Sequence, residues 1–137
     1  MMTGNPTSRT LALAAGLGAA LALLATGCAS ADQPEVERVA SVFEDPSADA
    51  SARCDLLLPT AREQLEQDAQ SSCADAINSL PLHGGDVADV EVWGGDAQVR
   101  LGRDTVFLSK TPGGWRVAAA ACTPRTERPY DCEVSSS

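Results

Sequence analysis

The stretch Val87-Ala88-Asp89-Val90-Glu91-Val92-Trp93-Gly94-Gly95-Asp96-Ala97-Gln98-Val99-Arg100-Leu101 decides the fold. From His83 onward the hydrophobic period is two, and glycine-containing turns recur at short intervals, the pattern of an antiparallel meander. Ala97, Val99 and Leu101 alternate with outward-facing Gln98 and Arg100, so one face of the sheet is apolar and must be covered. The predicted strands cover 87–93, 97–101, 105–110 and 115–122. Gly94-Gly95-Asp96, Gly102-Arg103-Asp104 and Thr111-Pro112-Gly113-Gly114 make the turns between them. A loop over 123–131 with two prolines leads to Cys132, Glu133-Val134 adds a short edge strand, and 135–137 is a disordered tail.

Upstream of His83 the period is that of a helix. Pro34 followed by Glu35 and Glu37 is a helix start, and Val36, Val39, Ala40 and Phe43 fall at i, i+3, i+4 and i+7. This first helix ends near Pro46. Ser47 is the expected cap of a second helix, which carries Ala48, Ala52, Cys54 and Leu56-Leu57-Leu58 before Pro59 stops it. Thr60-Ala61-Arg62-Glu63 reads as a capping box opening a third, and Cys73, Ala76, Ile77 and Leu80 form a fourth helical repeat closed by Pro81. The fold class is therefore α+β: N-terminal helices packed on a curved antiparallel meander of about four strands.

The first 27 residues read differently. A polar leader with a single Arg9 precedes an unbroken run of Leu, Ala and Gly from Leu11 to Ala25, the order of a secretory signal peptide. A run this short does not cross roughly 30 Å of hydrocarbon at about 1.5 Å per residue. It ends in Leu24-Ala25-Thr26-Gly27-Cys28, which resembles the lipobox of bacterial lipoproteins. That resemblance implies cleavage before Cys28 and acylation of its thiol, hence a lipid-anchored protein on the extracytoplasmic face of the cell membrane. Residues 28–34 then form a lipidated tether with a reach of about 20 Å, and 35–134 form a single domain.

The full chain carries a net charge of −9, with nine of its ten basic residues lying after the leader against nineteen acidic ones. That balance disfavours nucleic acid and anionic headgroups as partners. Of the five cysteines, lipidation accounts for Cys28. Cys54, Cys73, Cys122 and Cys132 can pair in three ways. The shortest loops favour Cys54 with Cys73 and Cys122 with Cys132. Zinc or thiol-exchange chemistry would need C-x-x-C spacing or Cys and His clusters, and the chain has one His.

Cys54-Asp55-Leu56-Leu57, Cys73, Gly114-Trp115-Arg116-Val117 and Cys122 with Cys132 resemble the marks of small actinobacterial lipoproteins of unknown function. The order of helices and meander also resembles the nuclear transport factor 2-like cone fold, which implies a pocket between sheet and helices. Fold alone assigns no function.

No residue set points to catalysis. His83 lies in the loop Leu82-His83-Gly84-Gly85, and Tyr130, the one tyrosine, lies in a proline-rich loop near Cys132. Asp86, Asp89 and Glu91 lack the calcium-loop pattern. Trp93, Phe107 and Trp115 are either core or the lining of a pocket for an apolar ligand. The expected protein is non-enzymatic, without metal or cofactor, and binds a small apolar ligand or an envelope protein. A structural accessory of an envelope assembly and a pocket enzyme of the cone fold are the alternatives.

Overall fold

Among the described residues four helices precede five strands: α1 (Gly27–Glu44), α2 (Ala50–Asp55), α3 (Pro59–Ala69), α4 (Cys73–Ser79), then β1 (Val87–Trp93), β2 (Asp96–Leu101), β3 (Thr105–Thr111), β4 (Gly114–Pro124) and β5 (Tyr130–Ser135). The computed structural model describes residues 27–127 and 129–136. Residues 1–26 of the predicted 1–27 signal segment, together with Arg128 and Ser137, lie outside the described residues. The strands form one antiparallel sheet in the order β1-β2-β3-β4-β5, the meander expected from the period of two.

The inward positions of the sheet are Ala97, Val99, Leu101, Val106, Leu108, Trp115, Val117, Ala120 and Val134, all buried. They meet Val36, Val39, Ala40 and Phe43 of α1, each 0 % exposed, which are the four residues of the predicted apolar stripe. Burying one such side chain stabilises the fold by about 1.5–3 kcal/mol, so this layer is the main source of stability. Ala61, Leu65, Cys73, Ala76 and Ile77 extend the same core from α3 and α4.

Several local expectations are corrected. The helix begins at Gly27 and runs through Pro34, so residues 28–34 are helical where an extended tether was expected. Contacts to the sheet hold that segment: Lys110 Nζ donates to both oxygens of Asp32 at 2.9 and 2.8 Å, and Gln33 Nε2 donates to the Val90 carbonyl at 3.2 Å. These offset the backbone bond that Pro34 cannot donate.

Asp49, not Ser47, caps α2, accepting from the Ala52 N–H at 2.9 Å, because Ser47 is engaged by Asp45 through both its N–H and its hydroxyl. Pro59 is the first residue of α3, and the predicted capping box does not form. Its cause is tertiary. Leu56–58 leave the helix to run beside β4, where the Leu58 N–H donates to Val117 and the Val117 N–H donates to Leu56. Proline suits the position that follows.

The sheet has a fifth full strand. β5 pairs with β4 from Ala119↔Ser135 to Pro124↔Tyr130, so Ser135 belongs to a strand and not to a tail. The reason is covalent: Cys132 lies opposite Cys122 and is bonded to it, which holds a proline-flanked segment in register. The second disulfide joins Cys54 to Cys73, linking α2 to α4. Both are the pairings favoured by loop length.

A meander places the turns after β1 and β3 at one pole of the sheet and those after β2 and β4 at the other. α1 runs between the poles, from Asp32 beside Lys110 to Glu44 beside Gly84.

Candidate functional site

At the second pole two carboxyl groups meet inside the protein. Glu44 falls four residues after Ala40, on the buried stripe of α1, and is 3 % exposed. Its Oε2 accepts from the Gly84 N–H at 3.0 Å. A side chain at Gly84 would strike Leu101 at 2.7 Å and Glu44 at 3.0 Å, so glycine is what lets the loop approach this closely. Burial, followed by the hydrogen bond to and negative charge of Asp104, pushes the Glu44 carboxyl from the ordinary 4.5 up to about 8. The Gly84 N–H and the Arg53 guanidinium oppose that rise. Glu44 is therefore protonated in the folded protein at neutral pH.

Asp104 is 8 % exposed and accepts three backbone donors: Thr105 at 2.7 Å and Cys122 at 2.8 Å on Oδ1, and Ala121 at 2.8 Å on Oδ2. Ala121 has φ +54°, a conformation that disfavours residues with a Cβ, and Asp104 holds it there. The pair thus ties α1, the 81–86 loop, the β2–β3 turn and the bend of β4 into one node. Arg53, 1 % exposed, stands nearby, donates through Nε to the Phe43 carbonyl at 2.8 Å and lies 5.9 Å over the Phe43 ring. These carboxyl groups were missed in the sequence because Glu44-Asp45-Pro46 reads as a helix end and Gly102-Arg103-Asp104 as a solvated turn. The position of Glu44 on the apolar stripe was the available signal.

The three candidate aromatics are not brought together. Trp115 is 0 % exposed and fills the core, whereas Trp93 is 49 % exposed at the end of β1. Phe107 lies on the outer side of the sheet, where Tyr130 meets it edge to face with ring centroids 5.1 Å apart. The registers place Glu91, Gln98, Phe107 and Ala119 in one row across that outer face, with Asp89 and Arg100 beside them. Asp89 is paired with Arg100 at 2.8 Å, and Glu91 is exposed. The result is a half-buried aromatic pair within a polar, mixed-charge surface.

His83 is exposed and lines an open cleft of about 290 Å³ with Arg103, Asp104 and Glu133. Tyr130 is not among the lining residues and stands instead against Phe107 on the outer sheet face. The acid in that cleft, Asp104, already accepts three backbone hydrogen bonds. Other open grooves, of about 410 Å³ each, lie between α1 and β1 and between α2–α3 and the β3–β4 turn. Among the described residues no group of three His, Cys, Asp or Glu side chains is placed to hold a metal ion. Comparison with known proteins finds no matching family model, no similar curated protein and no similar solved structure.

Proposed function

We propose that the chain is an extracytoplasmic lipoprotein, anchored in the cell membrane through Cys28, that acts by binding an envelope protein rather than by catalysis. The observation that carries the binding role is the outer sheet face: Phe107 and Tyr130 stand half-buried among Glu91, Gln98 and Arg100, outside the layer that α1 covers. An aromatic centre with a polar rim is the make-up of a protein-binding surface. On the other side of the sheet Trp115, Phe43, Ile77 and Leu82 occupy the space between sheet and helices, which favours a protein over an enclosed apolar ligand. The leader, the resemblance of 24–28 to a lipobox and the two disulfides support the location. No helix of the described residues is long and apolar enough to cross a membrane.

Photo-crosslinking tests this reading. A photoreactive residue at Gln98, compared with one at exposed Glu63 on α3, should yield a discrete heavier adduct in intact membranes, about tenfold more abundant from position 98. Equal adducts from both positions, or none from 98, would contradict it.

A further inference from the structure

The anchor and the fold are closer together than a flexible tether allows. Cys28 and Asp32 both belong to α1, and four residues of helix span about 6 Å. The headgroup layer on one side of a bilayer is about as thick. Asp32 is clamped to the sheet by Lys110, whose ammonium holds its carboxyl below the usual range, with the Trp115 indole adding to the effect. A lipid on Cys28 would therefore hold the first pole of the sheet against the membrane.

That pole is made for such a position. The Lys110 N–H donates to the Gly95 carbonyl at 2.7 Å, which connects the clamp directly to the β1–β2 turn. Trp93 closes that hairpin opposite Asp96. Gln33 meets β1 at Val90, and the three strand residues from there to Trp93 advance about 10 Å back toward the start of α1. This sets Trp93 at the height of the first turns of α1, which contain Cys28. Trp93 is also the exposed large hydrophobic side chain of the described residues.

Charge agrees with this placement. In a chain of net charge −9, Lys110 and Arg116 stand here against Asp32, Glu35 and Asp96, which leaves this pole close to neutral, and the two turns, Gly94-Gly95 and Thr111-Pro112-Gly113, carry no charge. The acids of the second pole, among them Glu44, Asp45, Asp104 and Glu133, lie at the far end. An indole at the boundary of lipid and water satisfies both its apolar ring and its N–H.

We propose that the pole formed by Trp93 and the β1–β2 and β3–β4 turns is a membrane-contacting surface, with the Trp93 indole seated in the headgroup layer of the bilayer that carries the anchor. The inference rests on the lipoprotein reading above. It adds that the domain is held in a defined orientation, second pole outward.

The chain has two tryptophans, so the experiment is direct. The full chain, isolated from the membranes of its producing cells, is placed in phosphatidylcholine and phosphatidylglycerol vesicles, and its emission is compared with that of the Trp93→Phe variant. The difference belongs to Trp93. Acyl chains brominated near the headgroup should quench it, and its quenching by aqueous iodide should fall about threefold relative to detergent. A flexible glycine-serine insert between Ser30 and Ala31 should abolish both changes. Acyl mass on Cys28 with Trp93 insensitive to bromine and open to iodide would overturn the orientation alone. A preparation with no acyl mass on Cys28 would overturn the lipoprotein reading and the orientation with it.

Discussion

Reducing both disulfides should lower the unfolding free energy by about 6 kcal/mol, because loops of separation 19 and 10 each remove about 3 kcal/mol of chain entropy from the unfolded state. A domain of this size holds roughly 5–15 kcal/mol in total, so the reduced protein should be largely unfolded at 37 °C. Denaturant titration with and without a phosphine reductant measures this. The double variant Cys54→Ser with Cys73→Ser should lose about half of it, since that bond only joins α2 to α4. The Cys122–Cys132 bond should matter more to local order. It holds β5 opposite β4, and without it the strand has the proline-flanked composition of a loop. A loss below about 1 kcal/mol on full reduction would show that the core alone sustains the fold.

The second large effect belongs to the acid node. Asp104→Ala leaves the backbone N–H groups of Thr105, Ala121 and Cys122 without their acceptor, at about 1–3 kcal/mol for each that water does not reach, so a loss of about 4 kcal/mol is expected. Glu44→Gln should behave in the opposite way. The folded protein retains the Glu44 proton up to about pH 8, whereas the unfolded chain releases it near 4.5. The stabilisation is then complete below about 4.5, declines as pH rises between those values and is lost above about 8, at up to about 1.4 kcal/mol per pH unit. A glutamine, always neutral, removes this dependence. Melting curves from pH 5 to 9 should show the wild type weakening toward alkaline pH and Glu44→Gln changing far less. Parallel curves for the two proteins would contradict the assignment of the proton.

What could be read in the sequence was what local periodicity encodes. The stripe Val36, Val39, Ala40 and Phe43 and the alternation of Ala97, Val99 and Leu101 correspond directly to buried faces, because a packed face must repeat with the period of its element. What escaped was decided by groups distant in the chain. Helix α1 extends back to Gly27 through contacts with residues 57 and 78 positions away. Pro59 opens α3 because Leu56 and Leu58 bond to Val117. The site was less legible than the fold. Trp93, Phe107 and Trp115 are alike in composition and sit on three strands of one sheet, β1, β3 and β4, yet only strand register tells which one faces the core, which the outer face and which the end of the sheet. Glu44 and Asp104, whose carboxyl groups meet at the second pole, are sixty residues apart and meet only in the folded protein.

The most direct test of the whole account is the intact mass of the protein isolated, without reduction, from the membranes of the cells that make it. The account predicts a chain that begins at Cys28, carries the added mass of diacylglycerol on that residue, and is four hydrogens lighter than the fully reduced form. A mass that still includes Met1, or a chain with an unmodified Cys28 thiol, would contradict it.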